Sequence, residues 1–354
     1  MTAATAAGLM TAVVKTRSGV GNVGLMDVPE PVCGPGKVKV EIKYCGICGT
    51  DIHVFHDRFR NYPPVILGHE FSGIVVETGE GVRSTGAGDR VTVLGSSAVV
   101  CGTCEYCVSG YYMFCPVRRG MGHGVNGAFT KYAVVREDQV YKLPDSLSLE
   151  EAALTEPFAS AVQPIEELAS VHPGDTVLLS GPGPIGLLCL TLLVSHRAKV
   201  LVAGTNDDES RLDLAIRLGA DAAVDVSRDD IDEAVRRFTG GRGVDIAVEC
   251  SGNAVSHAAC LRAVRAFGQY VQVGIAGKEI QLPFDTVLYK QLHVLGSVGH
   301  SLATWRRAMA IFEQKKITLE PLISHVLPLS RWREGFDLCE NKQGVKVLLQ
   351  YDGI

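Results

Sequence analysis

Three groups of residues in this 354-residue chain have the types and spacing that chemistry requires. The first is Cys45-Gly-Ile-Cys48-Gly-Thr50-Asp51-Ile-His53, with Gly68-His69-Glu70 about 20 residues further on and Glu156 in a later Thr-Glu-Pro. A soft thiolate, an imidazole and a carboxylate make a mixed donor set. Three such ligands leave one coordination position for water or substrate, as a catalytic zinc requires. Residue type alone leaves other readings open: His69 as a core histidine, or Cys45 and Cys48 as a redox or metal pair.

The second group is Cys101-x2-Cys104-x2-Cys107-x7-Cys115. Four thiolates in so short a segment suit a closed tetrahedral zinc. Iron–sulfur clusters use similar spacing, but no further cysteine set supports one here. With no histidine and no carboxylate, the site has no open position. Its role is therefore structural, and the lobe should fold only with metal bound.

The third is Gly181-Pro182-Gly183-Pro184-Ile185-Gly186, a G-x-G-x-x-G turn between an apolar strand pattern and a helical one. In that context the first glycine permits the tight turn, the second lets the backbone approach a pyrophosphate, and the third allows close helix–strand packing. The helix N-terminus offers free N–H groups and partial positive charge to the phosphates. An acidic residue that would bind the ribose is expected at the end of the next strand, where the chain instead reads Gly204-Thr205-Asn206. Thr205 or Asn206 can hydrogen-bond a ribose hydroxyl, and a neutral turn does not repel a 2′-phosphate. No Arg or Lys lies in the turn, and the nearest, Arg211, starts the following helix. NAD is the first choice and NADP stays open.

The elements that must position these groups fall into two textures. From Thr11 to about residue 150 the pattern is β-rich, with short runs such as KVKVEIKYC, FSGIVVETG and DRVTVLG split by Gly, Pro and Asp. This part reads as a β-barrel-like or sandwich domain behind a ragged start at residues 1–9. At Ser148, a candidate N-cap with Glu151 three residues later, the pattern turns helical through SLEEAALTEPFASAVQPIEELA. Strands and helices then alternate up to LHVLGSV, which implies a parallel, doubly wound sheet. VSHAACLRAVRAF reads as one helix in that series. Beyond about residue 300, a helix, HVLPL and KVLLQY could return to the first domain.

Composition agrees. About two domains' worth of chain, 46% apolar residues and a net charge of −5 describe a soluble globular protein with no basic excess for nucleic acid. No apolar run approaches the ~18 residues of a membrane span. Eleven cysteines without a signal-peptide pattern point to reduced, cytoplasmic thiols, several of them metal-binding.

CGICGTDIH, GHEFSG, the four-cysteine lobe, LTEPFA and GPGPIG, in that order, resemble the zinc-dependent medium-chain dehydrogenases of the sorbitol and threonine dehydrogenase branch, from Thr11 onward. The resemblance implies a GroES-like β-barrel catalytic domain (1–160 and 300–354) and a Rossmann domain (161–299), with cofactor at the carboxyl ends of the parallel strands. It implies a catalytic zinc on Cys48, His69 and Glu70 or Glu156, with Cys45 a buried bystander. It also implies proton transfer through Thr50 and His53, and hydride transfer to a nicotinamide; an imidazole of ordinary pKa near ~6.5 suits such a relay. Lys346 matches a residue that meets the cofactor pyrophosphate, and Val273, Ser297 and Val298 fall where the cofactor lies. A small-molecule alcohol or polyol is the implied substrate, and a dimer or tetramer the implied assembly. The chain departs from animal sorbitol enzymes at Val54, which follows the relay histidine, and at Gly296–His300. Phe55, Phe59, His123, Phe129 and His300 are candidate pocket residues by position.

Overall fold

The computed structural model describes residues 8–353, so most of the ragged start read at 1–9 lies outside the described residues. The chain divides into two compact units, residues 1–156 with 301–354, and residues 157–300.

The first unit is built on the long strand Lys37–Gly46, whose alternating sequence turns Val38, Val40 and Ile42 into the core. One edge of this strand pairs antiparallel with Glu70–Thr78. The other edge is shared by Tyr132–Arg136 and, further along, Lys346–Gln350. Ile323–Pro328 extends the sheet beyond Lys346–Gln350, and Arg90–Val93 and Val140–Lys142 extend it beyond Glu70–Thr78. A second sheet has the order Val23–Pro29, Leu9–Lys15, Val65–Ile66. The core between these elements holds Val13, Val40, Phe71, Phe129, Trp332 and Phe336. Phe129 is fully buried there, and Phe55, half-buried, packs against the same cluster.

The second unit is a six-stranded, wholly parallel sheet. Its order is Ala222–Asp225, Lys199–Gly204, Thr176–Ser180, Val244–Glu249, Val264–Gln272, His293–Gly296. Strand order reverses at Thr176–Ser180, the switch point where doubly wound sheets bind ligands.

Two helical expectations need correction. The segment from Ser148 is not one helix. Ser148 caps Leu149–Ala152, its Oγ accepting from Glu151 N at 3.1 Å; Thr155–Val162 follows, and the turn containing Pro164 widens to a π-helix at Gln163–Leu168. The helix read through Phe267 ends at Ala263, because Val264 already pairs with Val244 in the sheet and Arg265 Nε reaches Asp245 at 2.6 Å.

Candidate active site and metal centres

Register brings the mixed donor set together. Gly46 lies opposite Glu70 where the two long strands pair, so the residues just beyond each strand end, Cys48 and His69, become neighbours. Gly46 is required there, because a Cβ would overlap the Glu70 carboxylate. Cys48 is the N-cap of the short helix Gly49–Phe55, which also carries Thr50, half-buried, and His53, exposed. The ligand atoms of Cys48, His69 and Glu70 all lie within 4.8 Å of one another. One thiol and one imidazole beside a carboxylate, gathered this tightly with His69 and Glu70 buried and Cys48 half-buried, fit a zinc ion.

Asp51, buried in the same helix, ties the pieces. It accepts from Cys48 N and from Gly68 N, each at 3.0 Å, and its Oδ1 stands 3.8 Å from His69 Nδ1. One carboxylate thereby fixes the backbone at the thiol and just before the imidazole. Sequence reading missed Asp51; its place one turn beyond Cys48, inside the motif, was the available signal. The second missed feature is the setting of Lys346. Its ammonium is buried, pairs with Glu70 Oε2 and donates to Ile47 O at 3.2 Å. Lys346 thus holds the Glu70 carboxylate.

Burial pushes the Cys48 thiol up, and Glu70 adds to this while His69 opposes it. For His69, burial alone would depress the pKa, but the charges of Cys48 and Asp51 outweigh it and hold the imidazole well above its ordinary value. Burial would also lower Lys346; Glu70 and Cys48 reverse that and raise it to about 12. Without metal, this is a site that keeps its protons, and a bound cation must displace them. Glu156 is half-buried at the start of its helix and contributes to the charge felt by His69, but its carboxylate is not among the three clustered donors. Cys45 is buried behind the site against Gly68 and is likewise outside that cluster. His123 is held down to about 4 by burial, with His69 and Arg118 adding repulsion, and its ring meets Phe59 edge-on at 5.1 Å.

The lobe is local. Cys101, Cys104, Cys107 and Cys115 also gather their sulfurs within 4.8 Å, and Cys101 Sγ lies 3.8 Å from Cys107 Sγ. That separation equals the edge of a tetrahedron with Zn–S bonds of about 2.3 Å. Backbone N–H groups of Cys101 and Cys104 donate to Cys115 Sγ and Cys101 Sγ, each at 3.3 Å. N–H donors from Thr103 and Cys104 lower Cys101 to about 6, whereas burial raises Cys107 to about 12.

In the parallel-sheet unit, Gly181 has φ +99° and its backbone passes so close to Ser251 that a Cβ would sit 2.8 Å from Ser251 N. Gly186 packs against the carbonyl of Gly181, while a Cβ at Gly183 would meet nothing within 4 Å. The turn is thus tight at its ends and open in the middle, at the N-terminus of Pro184–Ser195, where a pyrophosphate would approach. Ile185 lies in the first turn of that helix. Gly204 is set by packing, since a Cβ there would come within 2.9 Å of Pro182 Cγ. Thr205 Oγ1 donates to Asp208 Oδ2 at 2.9 Å, and Asn206, exposed, accepts from Ser227 Oγ at 3.2 Å. Arg211 is turned inward and buried, its Nη1 3.7 Å from Asp208, so it does not present itself to a ribose. Val273, Ser297 and Val298 line a depression of about 480 Å³ at the carboxyl ends of Val264–Gln272 and His293–Gly296. His300 is buried.

Residues 34–145 match the alcohol dehydrogenase GroES-like domain, and residues 184–314 match the zinc-binding dehydrogenase family. The chain is 39% identical over 341 residues to a sorbitol dehydrogenase of Halalkalibacterium halodurans, covering 96% of this chain and 99% of the relative. It is 36% identical to a D-arabitol-phosphate dehydrogenase of Enterococcus avium, with 96% and 97% covered. A solved zinc-binding dehydrogenase of Sinorhizobium meliloti 1021, bound to NADP, superposes with a TM-score of 0.87 at 32% identity, covering 97% of this chain and 99% of that one.

Proposed function

The chain belongs to the zinc-dependent medium-chain dehydrogenases, oxidoreductases acting on CH–OH donors, and on that footing we propose that it oxidises a secondary alcohol of a polyol or sugar alcohol to the ketose. The observation that carries this reading is the convergence of three unlike donors, Cys48, His69 and Glu70, in one tight cluster. Zinc held there supplies Lewis acidity to the substrate hydroxyl, and a nicotinamide supplies the hydride acceptor. The remaining work belongs to the chain. Asp51 fixes Cys48 and His69 together, Lys346 holds Glu70, and Glu156 adds negative charge beside His69. Thr50 Oγ takes the hydroxyl proton and His53, exposed on the same helix, hands it to solvent. Gly181, Gly183 and Gly186 admit the pyrophosphate, and Val273, Ser297 and Val298 flank the nicotinamide end.

NAD is the preferred cofactor in this reading, with NADP second, since the turn at Gly204–Asn206 carries no cation. This reading sets the metal-binding thiols in a reducing, cytoplasmic compartment. No described helix is long and apolar enough to cross a membrane. The enzyme works as a homo-oligomer on a small molecule, without nucleic acid.

Polyols, threonine and vicinal diols are to be tested with each cofactor by following nicotinamide absorbance. The expected result is fastest turnover of a polyol; turnover of threonine or butanediol alone replaces the substrate reading and keeps the reaction class. No turnover of any of them, with zinc and nucleotide both bound, points to a non-catalytic nucleotide-sensing protein. Elemental analysis should find about two zinc per chain, one in each cluster.

A further inference from the structure

The metal cluster, the relay and the glycine turn leave one buried charge without a role. Among the described residues the buried carboxylates are Asp51, Glu70, Asp208, Asp245 and Glu249. Asp51 stands beside His69, Glu70 beside Lys346 and Asp208 beside Arg211, and Asp245 takes both Arg242 and Arg265. Glu249, fully buried, has no lysine or arginine partner among the described residues. The base facing it is His257, whose Nε2 stands 3.5 Å from Glu249 Oε2 and makes no hydrogen bond, while its Nδ1 lies 2.6 Å from Tyr270 Oη. The donors around Glu249 are neutral. Ser251 N at 2.9 Å, Ser256 Oγ at 2.8 Å and Gly252 N at 3.1 Å donate to Oε1, together with Ser251 Oγ. Oε2 takes Gly252 N, also at 3.1 Å. Such surroundings suit an acceptor-only group, which a carboxylate is when ionised. Burying a charge without a counter-ion is costly. Its field is felt nearby: burial first, then Glu249, raises the Cys260 thiol.

This charge lies directly under the depression at the carboxyl ends of the strands. Gly274 lines that depression, and a Cβ on it would lie 2.5 Å from Glu249 Oε2, so the Gly274 backbone is what separates the carboxylate from the cavity. Val273 N and Gly274 N both donate to Glu249 O at 2.8 Å, which fixes the floor over the same residue. The loop that Glu249 gathers touches both cofactor segments: Ser251 N is the close neighbour of Gly181, and a Cβ on Gly252 would lie 2.4 Å from Ile275 O. Oxidised nicotinamide carries a positive charge on its ring. Accepting a hydride, one proton with two electrons, removes that charge. A fixed anion under the ring therefore favours the oxidised form without touching it. Over several Å at an effective dielectric of ~20, one unit charge moves a binding constant by about 10-fold or more.

We propose that Glu249 sets the preference of this chain between the oxidised and reduced cofactor: its buried charge, one backbone layer below the depression, is the counter-ion of the cationic nicotinamide, so it holds the oxidised form and loosens the reduced one. This eases release of the reduced cofactor in the direction of alcohol oxidation. It rests on the dehydrogenase reading and on the nicotinamide occupying that depression.

The test measures Kd for NAD+ and for NADH on the zinc-loaded full chain by titration calorimetry, without substrate, with NADP+ and NADPH in their place should that pair bind more tightly. Glu249→Gln is close to isosteric. With its amide nitrogen in the place of Oε2 it gives up only a bond from Gly252 N that Oε1 also receives, and His257 Nε2 can accept from it. The ratio of the NAD+ to the NADH dissociation constant should rise about 10-fold in Glu249→Gln. It should stay at the parent value in Glu249→Asp, which keeps the charge, and in Ser256→Ala, which loosens the loop and keeps the charge. Benzamide adenine dinucleotide, with an uncharged ring of the same size, tests the point without altering the chain. The parent should bind it about 10-fold less tightly than NAD+; equal binding overturns the inference. Equal weakening of NAD+ and NADH in Glu249→Gln marks a carboxylate that only braces its loop, which overturns the inference and leaves the dehydrogenase reading standing. A parent chain that binds neither NAD nor NADP overturns both.

Discussion

The two metal-type clusters share one compact unit, yet they are assembled in opposite ways. The four-cysteine lobe takes its ligands from a single stretch, Cys101 to Cys115, and its support from that stretch's own N–H groups. The mixed cluster takes Cys48 from a helix cap and His69 and Glu70 from a strand start. Asp51 fixes the first two, and Lys346, 276 residues from Glu70, holds the third. The four-cysteine cluster is self-contained within its own loop. The open site is only as good as the distant elements that aim it, and it alone contains groups that could handle a substrate proton.

If that contrast holds, damage should separate cleanly. Cys48→Ser should remove about one zinc per chain and lower kcat/KM by more than the roughly 100-fold that losing an outer partner costs. Equal loss of both zincs would break the comparison. Asp51→Asn keeps size but gives up the charge beside His69. It should cost about 10- to 100-fold in activity or in metal affinity at that site, with the lobe's metal untouched. Cys107→Ser should do the reverse. Its zinc is lost and the thermal midpoint falls by several degrees, while kcat per folded molecule changes little; a large fall in kcat would show that the lobe does more than brace the fold.

The smallest effect is the pH response. Metal uptake requires deprotonated Cys48 and neutral His69, both of which hold their protons to higher pH than usual, so affinity falls as pH falls. In the lobe, the Cys101 thiol is lowered to about 6, but burial raises Cys107 to about 12, so its metal too must displace a proton. Zinc followed with a chromogenic chelator should therefore be released from both clusters as the pH falls; a zinc content unchanged on acidification would overturn this expectation.

Legibility in the sequence followed the same line. The lobe and the glycine turn were readable because each is local: spacing alone puts four sulfurs or three glycines into register. Cys48, His69 and Glu70 were readable as candidates, but their meeting depends on the pairing of Gly46 with Glu70, which no local pattern specifies. Arg211 misled because a charge near the turn says nothing of the direction it faces, and Asp208 draws it inward. The Glu70 partner of Lys346 was not legible, because it lies in a distant strand. The helix read through Phe267 failed where tertiary pairing at Val264 overrode a helical pattern.

The Lys346–Glu70 pair has a consequence for synthesis. A ribosome adding about 5–20 residues per second needs on the order of 14–55 s to travel the 276 residues from Glu70 to Lys346. Through that interval the four cysteines of the lobe are all available to one another, whereas the Glu70 carboxylate waits without its ammonium. The nascent chain thus presents the cysteine cluster first, and the Cys48–His69–Glu70 cluster gains Lys346 only after residues 157–300 have emerged.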